Sequence, residues 1–292
     1  MAKRLFNNSV RFDPQTTLFV TDLDGTLLTK DAILPIGAKE LIRELDSKGV
    51  KLTYSTARTI RSAAFILEGL PFPAPISLMN GVLIRDMNAG KYVTGNLLQP
   101  NAVKAVLEAG GDPFIYTLTE EEELFTSYKR IANDHMAGFM RERKDKYSKP
   151  FRQLDDLNVL AKENQRIIYF CYLDSHENLD PVYKKISSIR DTAGNETVKC
   201  AFYPDRYRND LWYLEVFAPT ASKGTSIRTL KKLTGAETIV SFGDNGNDLP
   251  MFEESDYAFA VSNANDKVKA AASGITEPGL GVLDFIAKHI KL

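Results

Sequence analysis

Two aspartates one residue apart, followed directly by glycine, define the first chemistry open to this sequence: Asp22-Leu23-Asp24-Gly25-Thr26. Where a strand passes into a loop, that spacing lets both carboxylates point into one pocket. One can attack phosphorus as a nucleophile while its neighbour shuttles the proton. Carboxylates that close also make a hard-oxygen site for Mg2+. The bland alternative is an acidic surface turn, since an isolated Asp-x-Asp is common. An EF-hand is excluded, because the third loop acid is missing and Gly25 falls too early.

Gly243-Asp244-Asn245-Gly246-Asn247-Asp248 is the second acidic group. A calcium loop fails here too, because Leu249 holds the glycine position and Ser255 stands where the bidentate Glu belongs. After an apolar strand, Asp244 reads as a third carboxylate facing Asp22. Asn247 and Asp248, at the start of the next helix, can orient other groups; the alternative is a helix-capping turn ahead of Pro250. Lys223, in Ser222-Lys223-Gly224-Thr225, opens a helix, where a cation opposes the macrodipole. Charge developing on a phosphoryl group is a reason to keep it there. Ser55-Thr56-Ala57-Arg58 offers a hydroxyl and a guanidinium after another strand, unless Thr56 is only a cap. No Gly-x4-Gly-Lys-Ser/Thr sequence occurs, so a P-loop is unsupported. His135, His176 and His289 share no metal-ligand spacing.

Positioning these groups takes a particular order of elements. Thr17 to Thr21, Val50 to Ser55, Ile76 to Met79, Thr238 to Phe242 and Tyr257 to Val261 are short apolar runs. They end in Asp22, Thr56, Asn80, Asp244 and Asn263. Between them Ala38, Leu41, Ile42 and Leu45, then Ile60, Ala63, Ala64 and Leu67, repeat at helical spacing. Further helical patterns lie around Ile227, Leu230 and Leu233, and from Val282 to Ile290. Strands alternating with helices predict a parallel sheet covered by helices, with ligands outside the carboxyl ends of its strands. Polar residues at five such ends therefore predict one active rim on one sheet.

The middle of the chain has another character. Strand candidates run over Pro113–Thr119, Leu124–Lys129, Gln165–Leu173, Glu196–Tyr203 and Asp210–Ala218. Helical stretches fit Ala102–Glu108, Ile131–Arg143 and Leu179–Arg190. This predicts an α+β domain over 86–218, inserted in an α/β core made of 1–85 and 219–292. Insert aromatics such as Tyr116, Tyr169 and Trp212 can stack on a ring or pack a core.

The 292 residues carry 38 acidic and 37 basic side chains, a formal charge of −1, with 43% hydrophobic residues. That composition excludes disorder and gives no general attraction to nucleic acid. Arg141, Arg143, Lys144, Lys146 and Lys149 read as the exposed end of an insert helix. Cys171 and Cys200 cannot form a disulfide framework and suit a reducing cytosol. Met1 to Val10 lacks the apolar core of an export signal, and no run approaches the ~18 apolar residues of a membrane span. A cytoplasmic protein with no membrane partner is expected.

The order DLDGTLL, STAR, MNG, SKGT and GDNGND, each after an expected strand or at a helix start, resembles the haloacid dehalogenase superfamily of phosphohydrolases. The likeness covers essentially the whole chain and is nearest to Cof-type members of subfamily IIB. It implies a Rossmann-like doubly wound core with an inserted C2B cap acting as a lid. Asp22 resembles the nucleophile that becomes an aspartyl-phosphate. Asp24 resembles the acid that protonates the leaving oxygen and then activates water. Thr56 and Lys223 match groups holding the phosphoryl oxygens. Asp244 matches the Mg2+ ligand, beside the Asp22 carboxylate and the Asp24 main-chain carbonyl. Asp248 matches the second acid of that motif, counted with the metal set. Gly25, Arg58, Asn80, Gly81 and Asn247 fall at substrate-binding positions. Ala57, where many relatives have glycine, departs from the pattern and bears on where Arg58 sits.

The resemblance implies a Mg2+-dependent phosphatase acting on a small phosphorylated metabolite, a sugar phosphate first among them. A phosphosugar mutase would return the phosphate to sugar and need a bisphosphate activator. A non-catalytic phosphometabolite-binding protein would show Mg2+-dependent binding without turnover. The sequence names neither the metabolite nor the oligomeric state.

Overall fold

The computed structural model describes residues 6–162, 164–205 and 208–291. Residues 1–5, which open the basic leader of the export-signal reading, lie outside the described residues. The chain divides into two compact units, Met1–Thr94 with Ala221–Leu292, and Gly95–Thr220.

The first unit begins with β1 (Thr17–Thr21), α1 (Ala38–Ser47), β2 (Lys51–Tyr54), α2 (Ile60–Ile66) and β3 (Ile76–Leu78). A hairpin follows, β4 (Leu83–Asp86) and β5 (Lys91–Gly95), which extends β3 into a three-stranded sheet and keeps 86–94 in this unit.

The second unit then runs α3 (Pro100–Glu108), β6 (Phe114–Leu118), β7 (Leu124–Tyr128), α4 (Asp134–Tyr147), β8 (Phe151–Gln153), β9 (Ile167–Asp174), α5 (His176–Ser187), β10 (Lys199–Pro204) and β11 (Trp212–Phe217). Its sheet has the order β10-β11-β9-β6-β7-β8. Every pair is antiparallel except β7 with β8. Phe170, Leu214 and Val216 from one face pack with Val106 of α3 and Leu179 and Ile186 of α5. On the other face Phe139 of α4 stacks on Phe114 at 5.2 Å. Trp212 packs against His176 and Phe202, at 4.5 and 4.9 Å between centroids. Tyr116 and Tyr169 meet edge to face. Capping moves two helix starts away from the periodicity: Asn133 accepts from the Met136 amide at 2.8 Å, and Ser175 from Asn178 at 3.3 Å.

The chain returns to the first unit with α6 (Lys223–Thr234), β12 (Thr238–Gly243), α7 (Leu249–Glu253), β13 (Tyr257–Val261), α8 (Asp266–Ala270), β14 (Gly274–Thr276) and α9 (Leu280–His289). The main sheet has the order β14-β13-β12-β1-β2, parallel throughout. All five residues of β1 are buried. Successive strand residues point to opposite faces, so both faces of this strand are covered, as a doubly wound sheet requires. Burying each of Leu18, Phe19 and Val20 contributes about 1.5–3 kcal/mol.

One expectation is corrected. The third strand does not continue the main sheet: β3 pairs antiparallel with β4 and meets β2 only through a parallel bridge, Ser55 to Ser77. Its three residues leave little ladder to share, and the turn Met79–Gly81 directs the chain straight back as β4.

Candidate active site

The parallel register decides which loop residues meet. Thr21 pairs with Phe242 on one side and Tyr54 on the other, so the residues just beyond, Asp22, Gly243-Asp244 and Ser55-Thr56, emerge on one rim. The Asp22 amide extends the ladder by donating to the Phe242 carbonyl at 2.9 Å. Asp22, Asp244 and Asp248 are all buried, and each offers a carboxylate oxygen within 4.8 Å of the others. Among the described residues they are the one cluster of three or more His, Cys, Asp or Glu groups so placed.

Lys223 enters this cluster from the first position of α6. Ser222 caps the helix, accepting from the Thr225 amide at 3.0 Å, while Thr225 Oγ1 accepts from the Ser222 amide at 3.0 Å. The capped turn aims the lysine into the protein. Its Nζ donates to Asp22 Oδ1 and to Asp248 Oδ1, each at 2.6 Å. The side chain is 0% exposed. Burial works against its charge, yet attraction to Asp22 and Asp248 holds the ammonium above its ordinary value. Burial pushes the Asp22 carboxyl up; Lys223 opposes that, and Asp248 and Asp244 add to it.

Asp248 is fixed by both oxygens. Oδ1 takes the lysine, and Oδ2 accepts from the Asp244 and Asn245 amides at 2.9 and 3.0 Å. It therefore shapes the Asp244 loop as well as holding the lysine. Gly25, at φ +83°, passes so near Asp244 that an added Cβ would stand 2.3 Å from its Oδ2. The left-handed backbone and this approach both require glycine.

Asp24 lies outside the acidic cluster. Its carboxylate is gripped by Arg58, Nε to Oδ2 at 2.8 Å and Nη2 to Oδ1 at 2.5 Å. This fork-to-fork pair gives Arg58 a partner in the protein, where the resemblance put it on substrate. Thr56 is fully buried. Its amide donates to Ser77, its carbonyl accepts from Asn80 at 2.9 Å, and Oγ1 accepts from the Arg58 amide at 3.1 Å. Asn80, at φ 56°, accepts through Oδ1 from Asn247 Nδ2 at 3.1 Å, joining two loops from distant sequence. Gly81, at φ +89°, would drive a Cβ to 2.1 Å from the Ser222 carbonyl, so glycine here lets this loop reach the start of α6.

Sequence reasoning noted Asn263 as a strand end but gave it no role; its Nδ2 donates to the Gly25 carbonyl at 2.9 Å and braces the Asp22 loop. Its place after an apolar strand was the available signal. The histidines stand in other settings: His289 Nδ1 is 2.8 Å from the Phe285 carbonyl, and His135 lies 3.2 Å from Asp210.

Three carboxylates around one ammonium leave an excess of negative charge if all ionise, and carboxylate oxygens are the donors a hard divalent cation prefers. These residues fit Mg2+. The arrangement also sets the Asp22 carboxylate, a group able to act as a nucleophile, beside a fixed positive charge.

The family of haloacid dehalogenase-like hydrolases matches residues 19–279. Among curated proteins, 5-amino-6-(5-phospho-D-ribitylamino)uracil phosphatase YwtE of Bacillus subtilis is 23% identical, covering 88% of this chain and 91% of its own. A putative phosphatase of Streptococcus pyogenes, M6_Spy0533, is 24% identical, with 94% and 98% covered. Two solved structures share the fold. TM0651 of Thermotoga maritima has a TM-score of 0.70 at 22% identity, over 93% of this chain and 95% of its own. The subclass IIB sugar phosphatase BT4131 has a TM-score of 0.66 at 21% identity, over 93% and 98%. Among the described residues no helix is long and apolar enough to cross a membrane.

Proposed function

The chain belongs to the haloacid dehalogenase-like hydrolases and is a phosphatase, and from that premise we propose that it hydrolyses a small sugar or polyol phosphate through an aspartyl-phosphate on Asp22. The observation that carries this reading is the buried bridge of Lys223 between Asp22 and Asp248. A carboxylate attacking a phosphate dianion meets repulsion, and phosphoryl transfer is governed by positioning and charge stabilisation. Lys223 answers that repulsion next to the attacking group. Asp24 protonates the leaving oxygen and then takes a proton from water, and Arg58 sets its orientation before substrate arrives. Thr56 lies with the phosphoryl-binding groups, Asn80, Gly81, Gly25 and Asn247 on the substrate side.

Asp22 and Asp244 would hold Mg2+, with the Asp24 carbonyl as the resemblance implies. Asp248 acts mainly by fixing Lys223 and the Asp244 loop. When bound, the ion supplies Lewis-acid charge to the transferring group. The sugar-phosphate or polyol-phosphate class draws support from two relatives, one named a sugar phosphatase and one a 5-amino-6-(5-phospho-D-ribitylamino)uracil phosphatase. A cytoplasmic setting is part of the same reading, in keeping with two free thiols, Cys171 and Cys200.

A phosphate-release screen over phosphosugars, polyol phosphates, nucleotides and cofactor phosphates tests it. Turnover is expected with Mg2+, is lost on chelation and returns when the ion is restored. Asp22→Asn is expected to lower turnover at least about 10^4-fold in a folded protein. Full activity in that variant removes the assigned nucleophile. Activity that needs a bisphosphate and frees little phosphate indicates a mutase; Mg2+-dependent binding without turnover indicates a sensor.

A further inference from the structure

The turn between β13 and α8, residues 262–265, meets both acidic loops of the candidate active site. Asn263 Nδ2 donates to the Gly25 carbonyl at 2.9 Å, and the Asn265 amide reaches the Asp244 carbonyl at 3.4 Å. The turn is itself fixed on both sides of Asn263. The Ser262 amide donates to the Thr276 carbonyl at 2.8 Å, and Ser262 Oγ to Glu277 Oε2 at 2.6 Å. Ala264 is buried and its amide closes onto the Val261 carbonyl at 2.9 Å. Asn265 Oδ1 accepts from the Val268 amide at 3.0 Å, capping α8. Asn263 therefore stands on an ordered frame, and its amide reaches Gly25 with little freedom left to lose.

What it grips is the most freely rotating residue of the Asp22 loop, a glycine at φ +83°. The neighbouring carbonyls are already held within the same unit. Leu23 accepts from the amides of Thr26, Leu27 and Leu28 at 3.3, 3.0 and 2.8 Å, and Thr26 accepts from Gly279 at 2.7 Å. Between Leu23 and Gly25, the Asp24 carbonyl takes no donor among the described residues. Fixing the peptide on one side of Gly25 restrains the peptide on the other, which carries that carbonyl. Gly25 also stands against Asp244, where an added Cβ would lie 2.3 Å from Oδ2. Its position therefore sets the room left to that carboxylate. One amide thus governs two oxygens beside the acidic cluster, and groups that orient a metal ligand change metal affinity about 10–100-fold when removed. Asn263 is exposed and Gly25 half-buried, so without this bond the carbonyl can turn to water at little cost to the fold.

We propose that Asn263 is a positioning residue of the acidic cluster: through the Gly25 carbonyl it fixes the Asp22 loop against Asp244 and so sets the affinity for Mg2+. The role rests on the ion-binding part of the proposed function and not on the identity of the phosphate ester.

Calorimetric titration of the substrate-free full chain with MgCl2 tests this, on wild type, Asn263→Ala and Asn263→Gln. Asn263→Ala is expected to keep its ion-free Tm within about 2 °C of wild type. Its Kd for Mg2+ should rise about ten-fold or more. Half-maximal phosphate release should need a matching increase in Mg2+, while KM for the ester at saturating Mg2+ changes less than about two-fold. Asn263→Gln keeps the amide donor on a longer arm and should recover part of the lost affinity. Equal Mg2+ affinity in wild type and Asn263→Ala overturns the proposal. So does equal weakening in the Ala and Gln variants, because the donor then does not matter. An ion-free Tm lowered by more than about 5 °C in Asn263→Ala overturns it too, since the side chain then serves the fold. Absence of Mg2+ binding by wild type leaves no affinity to set and likewise ends it. Mg2+ binding without phosphate release from any ester would end the phosphatase reading and leave the calorimetric comparison standing.

Discussion

The two units bury polar chemistry in opposite ways. In the first, Lys223 is sealed between two carboxylates, and charge compensates charge. In the second, Glu215 sits on the sheet face between β10 and β9 and takes hydrogen bonds from the hydroxyls of Tyr169 and Tyr203. Burial pushes this carboxyl above its ordinary value, while the two tyrosines and Arg143 pull it back. Two hydroxyl donors with one cation can keep an acid in a sheet. Hydroxyl donors cannot offset the repulsion between two anions, whereas the buried ammonium of Lys223 can.

Breaking the charged cluster should have the largest effect. Lys223→Met leaves Asp22 and Asp248 buried without compensation, which costs about 3–5 kcal/mol of stability. The same change should lower kcat about 10²–10³-fold. Urea melts and phosphate release measure the two losses. A stable, active Lys223→Met protein would erase the distinction between the units.

Gly25→Ala tests how tightly that cluster is held. Its methyl meets Asp244 at a backbone angle L-residues rarely adopt, so a loss of about 1–2 kcal/mol is expected. A weaker apparent affinity for Mg2+ should accompany it, read from the ion dependence of Tm.

Glu215→Gln should have the smallest effect, since the amide keeps one acceptor oxygen for the tyrosines. The raised carboxyl binds protons more readily folded than unfolded. Its share of stability is therefore present below its ordinary value of 4.5 and is lost as pH rises through the higher folded value. Chemical melts across that interval should show a flatter pH dependence in Glu215→Gln, with phosphate release unchanged.

The strands β1, β12 and β13 are legible because short apolar runs end abruptly in Asp22, Asp244 and Asn263. The helix under Ala38, Ile42 and Leu45 is legible from its buried stripe. β5, β8 and β14 are not, since none of their residues is buried and no apolar run marks them. The site was legible as a set of residue types at strand ends. The pairing of Arg58 with Asp24 was not, because two partners 34 positions apart leave no local mark.

Local sequence determined the candidate groups, since the apolar-to-polar switch after each of these strands and the Ser222–Thr225 cap are written within a few residues. Tertiary structure alone decided their arrangement: which oxygen Lys223 reaches, that Asp248 spends both of its oxygens, and that Arg58 turns to Asp24. Those outcomes follow from parallel register and packing, which bring together atoms that the chain separates by up to 201 residues.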